Sequence, residues 1–276
     1  MYTEYWNLAE KPFENTPDPR FLYLSDEHEE AIMRMLYAVQ EKKGAAMLTG
    51  EYGTGKTLLS RAIAERLLGE EDKYNVAMIV NPTIPSVELL FEIVYQLGGK
   101  PSKDNNKSEI LRMLNEMLYK TIDEKRHTVV VIDEAQAIKD DDIFEELRLL
   151  LNFQFNDRFL LTLLLLGQPE LREKVNRIKQ LHQRISIIYH LVALGELDTV
   201  KYIEHRLRVA GSAEVFFTDR AYKLIYERSK GMPRVINNIC DMALVIGFGE
   251  KAKVMDENIV SEVSKDFLIK EQQTLT

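Results

Sequence analysis

"LTGEYGTGKTLL", residues 48–59, decides the fold. It matches Gly-x-x-x-x-Gly-Lys-Thr at Gly50, Gly55, Lys56 and Thr57. "GAAMLTG" just before it reads as a short buried strand. "KTLLSRAIAERLL" after it reads as a helix, with apolar residues at 58, 59, 62, 63 and 67. Glycines let such a loop wrap its N–H groups around phosphate oxygens, and the helix N-terminus adds its dipole. The candidate cradle is therefore Gly50, Glu51, Tyr52, Gly53, Thr54, Gly55, Lys56, Thr57 and Leu58. Lys56 is expected on the β and γ phosphates, and the Thr57 hydroxyl is expected to hold Mg²⁺.

A second stretch sharpens that reading. "HTVVVIDEAQ", residues 127–136, is an apolar run ending in two carboxylates, as a central parallel strand would. Ligands of open α/β sheets sit at the C-terminal ends of such strands. Asp133 is expected to serve the metal, and Glu134 to polarise an attacking water. "NVAMIVN", 75–81, delivers Asn81, an amide that could bond Glu134; "LLTLLLLGQPEL", 160–171, delivers Gln168 toward the γ phosphate or the water. Either amide could instead close a local turn. Phe21, Leu22 and Tyr23 are candidates for the adenine, and equally for the core.

Strand signals at 45–49, 75–81, 128–133, 159–167 and 186–192 alternate with helical patterns, which predicts a five-stranded parallel sheet flanked by helices. After residue 195 only helices follow. "TDRAYKLIYERSKG" starts on Thr218 as an N-cap, and "PRVINNICDMALVIG" carries Ile236, Ile239, Cys240, Ala243 and Leu244 on one face. "DENIVSEVSKDFLIKE", 256–271, reads as a closing helix. The division expected is 1–194 for an N-terminal segment plus α/β nucleotide domain, and 195–276 for a small all-α lid. Before the second of these helices stands "SKGMPR": Pro233 suits a first helical position, and Arg234 then sits at the dipole's positive end. An arginine is uncomfortable there unless an anion is close.

Composition is that of an ordinary globular chain, 45% hydrophobic and 29% charged, with net charge −8. That balance argues against a protein living on phosphate backbones. The single cysteine, Cys240, excludes an internal disulfide, and the five histidines show no metal-ligand spacing. The N-terminus reads as no signal peptide, and the most apolar run, 159–167, is too short to span a bilayer. A cytoplasmic location with no direct membrane span is expected.

Phosphate loop, acidic strand end, polar residue on the next strand and a Gly-x-Pro-Arg helix, in that order, resemble the AAA+ ATPases. "KPFENTPDPRFLYLSDEHEEAI", "DEAQ", "EELRLLLNFQ", "LLGQPELR", "QLHQRI", "YIEHRLRVAG" and "SKGMPRVINNICDMAL" together look like the ExeA/GspA-type ATPases of secretion and type IV pilus-related machinery, whose relatives include TniB-like transposition ATPases. The likeness covers about residues 2–250. It implies ATP and Mg²⁺ as cofactors, a P-loop AAA+ core with a helical lid, and self-association into a ring or oligomer that works on an envelope complex. Arg234 then matches the sensor-two arginine, which reaches the γ phosphate from the lid. Arg184 occupies the place of an arginine finger for a neighbouring subunit, with Arg177 and Arg148 as rivals. Secretion members usually carry a transmembrane helix and a peptidoglycan-binding region beyond this domain, whereas this sequence ends at "KEQQTLT". Either the sequence is a piece of a longer chain, or it is a stand-alone family member expected to meet the membrane machine only through partners.

The competing class is a DNA-associated ATPase of transposition or replication type. Its support is the basic stretch "ELREKVNRIKQLHQR", 170–184, with Arg172, Lys174, Arg177, Lys179 and Arg184. Against it stands the acidic "KDDDIFEE" at 139–146 and the lack of a helix-turn-helix, zinc finger or basic arm. Envelope assembly is favoured over DNA.

Overall fold

A computed structural model describes residues 2–16, 18–212 and 214–263. Its elements run α1 (Tyr2–Tyr5), α2 (Asp26–Gln40), β1 (Ala45–Gly50), α3 (Lys56–Leu68), β2 (Tyr74–Ile79), α4 (Ser86–Gln96), α5 (Lys107–Asp123), β3 (His127–Ile132), α6 (Asp141–Leu150), β4 (Gln154–Phe155), β5 (Arg158–Phe159), β6 (Leu161–Gly167), α7 (Glu170–Arg177), α8 (Lys179–His182), β7 (Ile185–Leu191), α9 (Glu196–Val209), α10 (Asp219–Ser229) and α11 (Pro233–Glu250). Contacts divide the chain into two compact units. One holds residues 26–52 and 56–191; the other holds the residues up to 25, 53–55 and those from 192 onward.

The larger unit is the α/β body. Five strands lie in the order β2-β3-β6-β1-β7, every adjacent pair parallel. Successive side chains of each strand face opposite sides. Met47, Val130, Ile132, Leu163 and Leu165 therefore enter one apolar layer, which also takes residues of α4, α5 and α6. Leu48, Val129, Val131, Leu164 and Leu166 enter the other, with residues of α2 and α3. Burial on both faces explains why β1, β3 and β6 read as predominantly apolar runs. Each such side chain contributes about 1.5–3 kcal/mol relative to exposure, so a charge in any of them would be costly. Helix starts follow local chemistry as well: Asn106 and Glu109 form a capping box on α5, and the Asp140 side chain caps α6.

One strand boundary differs from the sequence reading. The run expected from 159 begins its sheet pairing at Leu161, because Arg158–Phe159 pairs back on Gln154–Phe155 as a small antiparallel hairpin. Its two-residue turn, Asn156 and Asp157, has φ of 49° and 60°. Such a turn needs left-handed backbone at both positions, which Asn and Asp tolerate.

The smaller unit is helical. Thr218 caps α10 by accepting from the Ala221 N–H, and Ile236, Ile239, Cys240, Ala243 and Leu244 of α11 are all buried in its core. The closing helix expected over 256–271 is seen as helix from 257 to 263; the rest lies outside the described residues. The N-terminal segment belongs here, which corrects the expectation that grouped it with the α/β domain. Tyr2, Trp6, Leu8, Phe13 and Phe21 are part of the helical core. The Trp6 indole donates to the Leu244 carbonyl at 3.0 Å, and the Arg206 guanidinium donates to the Pro12 and Glu14 carbonyls at 2.5 and 2.9 Å. A segment with this much aromatic surface needs an apolar partner, and α9 and α11 provide it. Among the described residues no helix is long and apolar enough to cross a membrane.

Candidate functional site

The phosphate loop leaves β1 at Gly50 and enters α3 at Lys56. Gly53 and Gly55 take φ of 86° and 100°, which side chains resist and glycine does not. No acidic residue stands in the first turn of α3, so the positive end of its dipole faces the loop. Lys56 is buried, and its ammonium donates to the carbonyls of Gly50 and Glu51, each at 2.7 Å. Burial lowers its pKa, while Glu134, Asp133, Glu51 and Glu170 act to raise it. The lysine and the two strand-end carboxylates are thus electrostatic neighbours, as their motifs predict. Thr54 is buried and Tyr52 is exposed; Thr57 and Leu58 are half-buried.

Asp133 follows β3 and is 1% exposed. Its Oδ2 accepts from the Ser60 hydroxyl at 3.0 Å, and its Oδ1 accepts from the Glu134 N–H at 2.9 Å. Burial pushes its pKa up; the bonds from Ser60, Glu134 and the Thr57 side chain work against that. A buried carboxylate touching the hydroxyl of the lysine's neighbour is a donor pair suited to a hard divalent cation. Among the described residues no group of three or more His, Cys, Asp or Glu side chains could cage a metal. Further ligands for Mg²⁺ would have to be phosphate oxygens and water, its usual companions.

Glu134 has left-handed backbone, φ 51° and ψ 33°. Its Oε2 accepts from the Gln136 side-chain amide at 2.5 Å. The expected bond from Asn81 is not the one formed: the Asn81 oxygen instead accepts from the Thr83 N–H and hydroxyl, closing a turn beyond the end of β2. Gln168 sits one residue past β6, and its backbone N–H donates to Gln136 Oε1 at 2.9 Å. Gln136 and Ser60 are the two residues that the sequence reading left without a role. "DEAQ" contained the first in plain view, but no local rule tells which of several amides will meet the carboxylate.

Arg234 opens α11 behind Gly231 and Pro233. Within the helical unit, to which 53–55 are assigned, its N–H points at the Gly53 carbonyl at 3.4 Å. A Cβ on Gly53 would lie 2.9 Å from the Arg234 Cβ. The arginine thus lies directly against Gly53, 181 residues away in sequence.

The finger candidates differ in what they already hold. Arg184 donates to the Leu151 carbonyl at 2.5 Å, at the C-terminus of α6, so its charge is engaged inside its own unit. Arg148 pairs with Glu145 at 2.6 Å. Arg177, at the end of α7, is exposed. In the basic stretch Lys174 also turns inward, donating to the carbonyls of Gln136 and Ile138 at 2.6 and 2.5 Å. Phe21 is core, and Tyr23 donates to Asp198 at 2.8 Å, so neither is set aside for a base.

A separate cleft of about 400 Å³ is lined by Lys42, Lys125, Arg126, His127, Phe155 and Arg158 among others. Lys42 and Lys125 lie just past the C-termini of α2 and α5, where a cation offsets the helix dipole. Arg126 is paired with Glu124.

The AAA domain family matches residues 39–175. General secretion pathway protein A of Aeromonas hydrophila is 37% identical over 250 residues, 90% of this chain and 45% of that protein. This is an AAA+ protein of the ExeA/GspA type. It spans less than half the length of that relative. The AAA+ fold is also that of the ORC2 protein of Aeropyrum pernix, solved as ADPNP–ADP complexes: TM-score 0.69 at 19% identity, covering 93% of this chain and 71% of that one. Cdc6p of Pyrobaculum aerophilum gives 0.73 at 17% identity, with 94% and 71% covered.

Proposed function

We propose that this AAA+ protein binds ATP with Mg²⁺, hydrolyses it, and uses the cycle to drive assembly or remodelling of a protein complex in secretion- or pilus-type envelope machinery. The observation that carries the enzymatic part is the convergence of Lys56, Thr57, Asp133 and Glu134 at one strand end. Lys56 exchanges its two loop carbonyls for β and γ phosphate oxygens. Thr57 and Asp133 hold Mg²⁺, which supplies charge neutralisation on the phosphates. Glu134 takes a proton from water, whose oxygen bonds to the γ phosphorus while the bond to the β-phosphate oxygen breaks and ADP leaves. Arg234, whose N–H points at the Gly53 carbonyl, takes the part of reading whether the γ phosphate is present.

Self-association into a ring or oligomer follows if an arginine of one subunit completes the site of the next. Arg184 must give up the Leu151 carbonyl to do so, whereas Arg177 is already exposed. Mixing finger-mutant protein with Lys56→Ala protein distinguishes them: the true finger variant recovers hydrolysis in the mixture. The envelope role is supported by the likeness to general secretion pathway protein A, with the chain peripheral to the inner membrane on its cytoplasmic face.

The DNA-associated alternative loses ground on one observation. Two of the five cations in 170–184, Lys174 and Arg184, are committed to backbone carbonyls. The deciding experiment is ATP turnover of wild type, Lys56→Ala and Glu134→Gln, with anisotropy of labelled duplex DNA titrated with Glu134→Gln protein and Mg-ATP. Turnover lost in both variants, with nucleotide binding kept in Glu134→Gln, is expected; normal turnover by Glu134→Gln overturns the assignment of the base. Saturable, ATP-dependent and salt-sensitive DNA binding would replace the envelope reading with a DNA-loading one.

A further inference from the structure

Gln136 stands where two chemically important segments meet. Its Nε2 donates to Glu134 Oε2 at 2.5 Å, and its Oε1 accepts from the Gln168 N–H at 2.9 Å. One carboxamide therefore ties the carboxylate of Glu134 to the end of β6. The surroundings hold that amide in place. Lys174 Nζ fixes the backbone of the turn by donating to the carbonyls of Gln136 and Ile138. Gly167 leaves the space the amide needs: a Cβ there would lie 2.6 Å from Gln136 Oε1 and 3.2 Å from its backbone N. Glu134 itself accepts left-handed backbone, a conformation uncommon outside glycine. All of these residues belong to one compact unit. A glutamine with only a surface role needs none of this.

From this geometry we infer that Gln136 is the positioning residue for Glu134, and that it couples the orientation of the base to Gln168. The inference rests on the ATPase reading above. The amide N–H occupies Oε2 and leaves Oε1 to receive the proton from water. The amide oxygen, held by the Gln168 N–H, makes that orientation depend on where the end of β6 lies. A shift of β6 on contact between Gln168 and the γ phosphate is passed to Glu134 through a single side chain. Asn81, busy with Thr83, has no share in this.

The test is steady-state ATP turnover, with nucleotide affinity measured separately, for wild type, Gln136→Ala, Gln136→Glu, Gly167→Ala, the double variant Gln136→Ala/Gly167→Ala, and Glu134→Gln. Gln136→Ala should lose roughly ten- to a hundred-fold in kcat, the size of effect expected when a reacting group is misplaced, with KM unchanged. Gln136→Glu keeps the shape but offers Glu134 an oxygen instead of a donor; it should be at least as impaired, which a packing role would not require. Gly167→Ala displaces the same amide from the other side, by contact of the new methyl, while the Gln136 side chain itself is unchanged in sequence. It should reproduce the kcat loss, and the double variant should be no worse than the more impaired single variant. Full activity in Gln136→Glu, or additive losses in the double variant, would overturn the inference while leaving the ATPase reading intact. Wild-type turnover no higher than that of Glu134→Gln would overturn both.

Discussion

The hydroxyl of Ser60, one turn into α3, donates to Asp133 Oδ2 at 3.0 Å across the base of the phosphate loop. This bond joins the helix that begins the site to the strand that ends in it. The carboxylate proposed above for the metal is buried and accepts bonds from hydroxyls and one amide. Burial, at a cost to the charged form, raises the pKa of Asp133, and these bonds, which favour that form, work against it.

Asp133→Asn removes that cost together with the charge. It is expected to melt no lower than wild type without nucleotide, and to lose the extra stabilisation that Mg²⁺ adds to ATP. Thermal melts with ATP plus chelator and with Mg-ATP read both effects. A large loss of stability in the variant would mean the carboxylate is chiefly a structural acceptor for Ser60 and Thr57.

Gly53→Ala should weaken nucleotide binding by an order of magnitude or more. Left-handed backbone costs a non-glycine residue about 1 kcal/mol, and here the new methyl also meets the Arg234 Cβ at 2.9 Å. Arg234→Ala keeps that Cβ and loses only the guanidinium. It should retain ADP affinity and lose preference for ATP over ADP. Titration with fluorescent ATP and ADP analogues separates the two variants; equal loss for both nucleotides in Arg234→Ala would count against a γ-phosphate role.

Arg206→Met should destabilise the helical unit by about 1–3 kcal/mol, the usual cost of leaving buried acceptors unpaired. The Pro12 and Glu14 carbonyls lose their donors, and Phe21 loses the guanidinium 4.8 Å from its ring centroid. Trp6 is the only tryptophan and is buried in this unit, so its fluorescence follows urea unfolding there. An unchanged midpoint would mean the N-terminal segment is held by its aromatic side chains alone.

His127 is buried at the start of β3, its Nε2 bonded to the Thr162 hydroxyl at 2.8 Å. Thr162 donates its own proton to the Lys43 carbonyl, so the histidine is the donor of the pair. Burial, helped by Lys42, lowers its pKa from 6.5 to about 4. The unfolded chain therefore binds a proton first as pH falls. Stability is full above pH 6.5 and declines toward about pH 4, by roughly 3 kcal/mol for a shift of this size. His127→Gln should flatten that part of the stability–pH curve, measured by urea unfolding followed by circular dichroism. A curve of unchanged slope would place the acid sensitivity elsewhere.

Much of the site was legible because its signals are local. A phosphate loop announces itself in eight residues, since glycines at 53 and 55 and the helix start at Lys56 are needed within one turn of chain. Asp133 and Glu134 are marked by the apolar strand before them, and Thr218 and Pro233 by the first turns they begin. The parallel sheet was legible for the same reason. Strands buried on both faces lack the regular apolar–polar alternation of a half-exposed strand, so β1, β3 and β6 show as mostly apolar runs.

Other features depended on partners far away in sequence. Asn81 and Gln136 are both amides near a strand end, and composition gives no reason to prefer either as the companion of Glu134. The choice falls to Gln136 because Gly167, on β6, leaves room for its side chain, while Asn81 finds Thr83 two residues away. Residues 1–25 carry aromatic side chains that any apolar layer would accept; the α9 and α11 surfaces claim them through Arg206 and the Leu244 carbonyl. The resemblance made Arg184 a finger candidate, and its hydrogen bond to the Leu151 carbonyl, 33 residues away, is a contact that the sequence did not announce. Backbone conformation and burial periodicity are set within a few residues, so the sequence by itself determined the loop, the strands, the caps and the acidic strand end. Which side chain meets which depends on chain returning from tens or hundreds of residues away, and only the tertiary structure decided that.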